Sequence, residues 1–209
     1  MKKFLLGLSI ALLFPLQALA QVTLWQEGTH YTVISDKASA KPVVQEYFSF
    51  WCPACFRFEP LMQEVKSKLD DGVKFDKIHV NFMRFTSPEI QDAATRAMMI
   101  GRQLKLDNKL NDAIFSLIHV QGKGQEIKSI DDFKAAFVAN GVDSEEFDKL
   151  ASSFGVTSLV NRNNKQIQKN RENISGVPNV IVNGKYQIKG GVKSAEEYVQ
   201  LVNWLAKQK

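Results

Sequence analysis

Both cysteines of this 209-residue chain fall in one short stretch, FSFWCPACFRF at 48–58, where only Pro53 and Ala54 separate Cys52 from Cys55. Thiols at that spacing can share a metal, close a permanent disulfide, or exchange electrons with other thiols. A structural zinc takes four ligands, and the sequence offers two sulfurs with no second CxxC and no His-x3–5-His pair. The three histidines, His30, His79 and His119, are scattered along the chain and read as ordinary structural or surface residues. Two soft sulfurs could hold Cu(I), but the Pro, Ala and Phe neighbours bring no Met or His to complete such a site. A permanent bridge between i and i+3 closes so small a loop that it removes little unfolded-state entropy. Electron exchange suits the pair better, because a thiol at a helix N-terminus has its thiolate stabilised by free N–H groups and the positive end of the helix dipole.

That chemistry requires a strand that delivers the pair and a helix that starts on it. PVVQEYFSF (42–50) is rich in β-branched and aromatic types and runs straight into Cys52, as a buried strand would. Pro53 follows as a residue suited to the first helical position, so the pattern from Phe56 to Leu69 predicts a helix with Cys52 near its N-cap and Pro60 inside it. Asp71-Gly72 stops the helix, and VKFDKIHVNFM (73–83) predicts a second strand. From Ser87-Pro88-Glu89 the texture becomes helical. Leu110, Ala113, Ile114 and Leu117 fall at i, i+3, i+4, i+7, Phe133, Ala136 and Phe137 mark a second stripe ending at Asn140-Gly141, and Asp143 with Glu146 suggests another start. After the polar helical stretch NRNNKQIQKNREN, the strands NVIV and KYQI flank Asn183-Gly184 as a hairpin. Ser194 and Glu197 then open a final helix carrying Tyr198, Leu201, Val202 and Leu205. The order is strand, helix, strand, helical block, hairpin, helix, with no internal repeat.

The first twenty residues, MKKFLLGLSIALLFPLQALA, place Lys2 and Lys3 before a short apolar run and end on Ala18-Leu19-Ala20, the pattern of a secretory signal peptide cleaved after Ala20. A membrane span needs roughly 20 apolar residues, and Pro15 interrupts this run. The mature chain is therefore expected in an oxidising space, the periplasm in a bacterium with an outer membrane. It is long enough for one domain with a sizeable core, or a domain carrying an insertion. The formal charge of +5 is spread without a Lys/Arg block, which argues against nucleic-acid binding.

A CxxC between a strand and a helix is the setting of thioredoxin-like redox motifs. Over its whole mature length the sequence resembles the DsbA-type thiol:disulfide oxidoreductases, through EYFSFWCPAC with Phe58 and Glu59, KIHVNFM, and GVPNVIVNGKYQ. The resemblance implies an α/β thioredoxin-like fold, a central mixed sheet flanked by helices with an inserted helical domain. On that division residues 21–86 and 161–209 form the thioredoxin-like part and 87–160 the insertion.

The resemblance also implies roles. Cys52 is the exposed nucleophile and Cys55 the buried resolving partner; Glu46 and Lys77 match an acidic and basic pair that moves protons for the buried thiol, or else a simple salt bridge. Glu59 reads equally as a solvated helix charge or a modest electrostatic influence. Val177-Pro178 matches the family's cis-proline dipeptide, which presents backbone to an extended substrate, and Pro53 and Ala54 tune the redox pair. Phe48 and Phe50 are expected in the core and Trp51 partly exposed. Ala54 departs from the commonest family form, which carries histidine there. No cofactor beyond the Cys52–Cys55 disulfide is implied, and no metal. The partners implied are unfolded or partly folded exported proteins with free cysteines and a DsbB-type, quinone-linked membrane oxidase, the protein acting as a monomer. A reductase or isomerase, a Cu(I) carrier and a chaperone are the alternatives.

Overall fold

The computed structural model describes residues 24–208, so the signal peptide expected over 1–20 lies outside the described residues. The chain entering the cysteine motif forms β2 (Val43–Phe48), after a short first strand, β1 (Tyr31–Val33). All but the first residue of β2 are buried, as its β-branched and aromatic composition demands of a strand covered on both faces. It pairs in parallel with β3 (Lys74–His79) and antiparallel with β4 (Asn179–Val182). β4 turns into β5 (Tyr186–Ile188) through Asn183 and Gly184, both with positive φ (56° and 64°), the geometry that Asn-Gly hairpins favour. The sheet order is β1-β5-β4-β2-β3.

Two strand expectations need correction. β3 is shorter than 73–83: Val80 N–H still bonds the Phe48 carbonyl at 2.8 Å, and beyond it the chain leaves the sheet. β1 was absent from the sequence-derived order, because three residues with no alternation of their own are held only by pairing with β5.

The first helix, α1 (Pro53–Ser67), starts at Pro53 with Cys52 as its N-cap, as the sequence predicts, continues through Pro60, and ends before Leu69. Helices α2 (Pro88–Gln103), α3 (Asp107–Phe115), α4 (Lys134–Ala139), α5 (Ser144–Ala151) and α6 (Phe154–Asn170) follow, α6 running unbroken across residue 160, before α7 (Ala195–Lys207). Ser87, Asp143 and Ser194 cap α2, α5 and α7 by accepting from backbone N–H groups of the first turn. The Glu197 carboxylate, however, takes the N–H of Lys193 rather than returning to Ser194.

Met62 and Val65 of α1 and Leu201, Val202 and Leu205 of α7 pack with Val44, Val180 and Val182 on one sheet face. Ile167 of α6 and Ile174 join Tyr47, Ile78 and Ile181 on the other. Cys52 and Cys55 belong to neither group. They pack with Phe48, Phe50 and Trp51 into the apolar core of the helical block, among Met98, Ile114, Phe115 and Ile118. The redox pair thus sits at the seam between sheet and helices.

Candidate active site

Cys52 is the N-cap of α1: its Sγ accepts the Cys55 N–H at 3.2 Å, and Pro53 occupies the first turn, where a missing N–H costs nothing. Both cysteines are free thiols. In its thiol form Cys52 also donates to the Val177 carbonyl at 3.5 Å, and the Val177–Pro178 bond is cis. Sequence-distant segments 52–55 and 177–178 therefore meet at one sulfur. Cys52 is only 3% exposed, contrary to the exposed nucleophile the resemblance implies, because the Val177 loop and the helical block flank it. Pro53, Ala54 and Arg57 are the exposed residues beside it.

The two sulfurs are electrostatically unequal. The hydrogen bond with the Cys55 side chain lowers the Cys52 pKa from 9.0 to about 6 against the opposing effect of burial, and the N–H groups of Cys55 and Ala54 and the Arg57 charge help. Cys55 is pushed far up, first because it gives that hydrogen bond and then because it is buried beside the Cys52 and Glu46 charges. The pair holds one ready thiolate and one tightly held proton.

Beneath them, the parallel register sets Glu46 of β2 opposite Lys77 of β3. Lys77 Nζ donates to Glu46 Oε2 at 2.7 Å and also to Glu59 Oε2, while lying 4.3 Å from the centre of the Phe48 ring. Glu59 is 6% exposed, so the solvated-charge reading of it is wrong; α1 turns it inward to complete a buried triad. Burial raises the Glu46 pKa against the pull of Lys77, with Glu59 adding to the rise. Burial depresses Lys77, but the two carboxylates outweigh it and its pKa is raised. Glu46 Oε1 has no hydrogen-bond partner among the described residues. A cavity of about 230 Å³, lined by Glu59, Gln63, Lys77, Arg102 and Asn111 among others, reaches the triad from the side.

The aromatic run divides differently from expectation. Phe48 and Phe50 are core, and so is Trp51, at 6% exposure; its indole N–H donates to the Gly124 carbonyl at 3.0 Å, a partner 73 residues away. His79 is fully buried against Phe48 and Phe50. Its Nδ1 lies 2.8 Å from Thr95 Oγ1, which spends its own proton on the Gln91 carbonyl, so Nδ1 carries a hydrogen. Burial, aided by the Lys77 charge, takes its pKa down to about 3. No cluster of three His, Cys, Asp or Glu side chains suited to a metal ion occurs among the described residues. His119, read as ordinary, stacks on Phe56 beside the motif, for which the sequence gives no signal.

A family model described as Thioredoxin matches residues 29–203. The thiol:disulfide interchange protein DsbA of Haemophilus influenzae is 34% identical over 206 residues, covering 96% of this chain and 94% of its own. The crystal structure of the disulfide oxidoreductase DsbA from Proteus mirabilis superposes with a TM-score of 0.75 at 31% identity, covering 88% of this chain and 98% of that one. A complex of the Proteus protein with a non-covalently bound peptide gives the same TM-score at 29% identity, with coverage of 88% and 99%. With an unequal thiol pair at the head of α1, a cis-proline loop against it and full-length likeness on both measures, the chain belongs to the DsbA-type protein thiol:disulfide oxidoreductases of the thioredoxin family.

Proposed function

We propose that the Cys52–Cys55 disulfide is donated to cysteine pairs of newly exported proteins in the periplasm. A substrate thiolate attacks Cys52 Sγ; the enzyme disulfide breaks, Cys55 leaves and takes up a proton, and a mixed disulfide forms. A second substrate thiolate attacks the substrate sulfur of that bond, the substrate disulfide closes, and Cys52 departs as a thiolate. Two electrons pass to the enzyme, and a DsbB-type membrane oxidase takes them back. The disulfide is the redox group. The observation carrying this reading is the inequality of the sulfurs: a cysteine stabilised as thiolate to about pKa 6 is a good leaving group, and a stabilised reduced form makes a strong oxidant. Glu46 and Lys77 serve the Cys55 proton, with the adjoining cavity as its way to solvent. The Val177 and Pro178 backbone receives the substrate chain, a role that follows from the cis bond lying against Cys52 Sγ; that the Proteus relative holds a peptide supports peptide binding in general. Acid trapping of the thiols in freshly extracted cells tests the direction of flow. Cys52 and Cys55 are expected mostly oxidised, and a mostly reduced pair would make the protein a reductase or isomerase instead.

Ala54 sets the strength of the oxidant. It is exposed next to Cys52, where a histidine would add a donor and positive charge. Such a neighbour moves a pKa by about 1–3 units, and each unit is about 1.4 kcal/mol, or about 30 mV for a two-electron couple. Ala54→His is expected to lower the Cys52 pKa and make the couple about 30–90 mV more oxidising. Thiolate absorbance against pH and equilibration with glutathione measure both; no movement in either would show that position 54 only shapes the surface.

A further inference from the structure

The last turn after α3 does not continue as an α-helix. Ser116–Val120 forms a π-helical turn, with Gln121 N–H reaching back five residues to the Ser116 carbonyl at 2.9 Å. Such turns shift side chains around the helix axis and are frequent at functional sites. Here the turn carries His119, whose ring lies flat on Phe56, the residue after Cys55, with centroids 5.0 Å apart and planes 7° from parallel. Its Nε2 is 2.7 Å from the Phe50 carbonyl, and since a carbonyl only accepts, Nε2 carries the hydrogen. Five residues on, Gly124 accepts the Trp51 indole N–H. The approach there is close: a Cβ on Gly124 would stand 3.0 Å from Ile118 Cγ2 and 3.4 Å from the Trp51 nitrogen.

The helical block therefore grips the two residues before Cys52 from outside the motif, one hydrogen bond on each. The Trp51 N–H bonds Ser49 Oγ at 3.3 Å and the Cys52 N–H bonds the Ser49 carbonyl at 3.0 Å, so the Phe50–Trp51 peptide fixes where Cys52 stands relative to the first N–H groups of α1. We propose that His119 is a positioning residue for the redox pair, holding the Phe50–Trp51 peptide so that Cys52 Sγ stays aligned with the head of α1. The inference rests on the reading of Cys52 as the reacting sulfur.

Two substitutions separate the hydrogen bond from the stack. His119→Phe keeps a ring on Phe56 and loses the donor; His119→Gln keeps a donor and loses the ring. One hydrogen bond contributes about 1 kcal/mol, close to one pKa unit. In full-length oxidised and reduced protein, His119→Phe is expected to raise the Cys52 pKa by about half to one unit and shift the glutathione equilibrium about three- to tenfold toward the protein disulfide. His119→Gln should stay within about twofold of wild type. Gly124→Ala, which pushes Trp51 from the other side, should move both readouts as His119→Phe does. If His119→Phe leaves the pKa and the equilibrium unchanged, or both His119 variants merely lose equal stability in the two redox forms, the proposal is overturned and His119 is packing alone. Failure of the wild type to catalyse insulin reduction would instead overturn the functional reading, leaving the Cys52 pKa comparison intact.

Discussion

Cys52→Ser is expected to abolish disulfide transfer completely, whereas Cys55→Ser, offered a substrate disulfide, is expected to attack it through Cys52, release one substrate sulfur as thiolate and hold the other as a mixed disulfide that no second enzyme thiol can resolve. Neither variant can close the Cys52–Cys55 bond, but only the second retains the sulfur at the N-cap of α1. Cys55 cannot substitute, because it is fully buried and its pKa is raised. Lowering the Cys52 pKa from 9.0 to about 6 increases the thiolate fraction at pH 7 about ninety-fold, but intrinsic nucleophilicity falls about 15- to 30-fold over the same shift. The net gain in attack is only a few-fold, so the depressed pKa serves mainly departure and the stability of the reduced form. The sign follows: a thiol whose folded pKa is depressed stabilises the reduced fold fully above pH 9, and that contribution is lost as pH falls through about 6. Alkylation of reduced protein, analysed by peptide mapping, should label Cys52 first with a midpoint near pH 6. Labelling of Cys55 alone would reverse the assignment of roles.

The parts of this site that were legible in the sequence are those written in local chemistry. Pro53 after a strand marks the head of α1, Ser87, Asp143 and Ser194 start their helices, and Asn183-Gly184 makes its hairpin, because each needs only a few neighbouring residues. The errors share the opposite property. Trp51 is buried because Gly124 accepts its indole N–H, and Glu59 is buried because Lys77, on β3, donates to its carboxylate. Cys52 is covered partly by a loop 125 residues away. The π-helical turn that carries His119 has no distinguishing pattern in SLIHV, whose apolar residues fit an ordinary helix equally well. Long-range partners decide burial, and a single sequence carries no record of them.

Lys77→Met is expected to cost about 3–5 kcal/mol of stability in both redox forms, the usual consequence of removing one partner from a buried ionic group. Glu46 would keep a fully buried carboxyl whose other oxygen already lacks a partner among the described residues, with Glu59 beside it and no cation between them. The loss should depend on pH in a definite direction. A carboxyl whose folded pKa is raised contributes stability below its unfolded pKa, near 4.5, and loses it as pH rises through the folded value. Without Lys77 that folded value rises further, so the deficit of the variant is smallest near pH 4.5 and grows toward neutrality. Adding Glu46→Gln removes the more deeply buried of the two stranded carboxylates, leaving Glu59, and should recover part of the loss, since a buried charge without its partner is the costly element. Denaturant unfolding of both variants between pH 4.5 and 8 measures this, and a deficit that is flat with pH would show that Lys77 acts through its packing on Phe48 instead. If the triad also serves the Cys55 proton, the double variant regains stability yet has a changed pH dependence for release of the mixed disulfide. Recovery of both together would reduce Glu46 and Lys77 to a salt bridge.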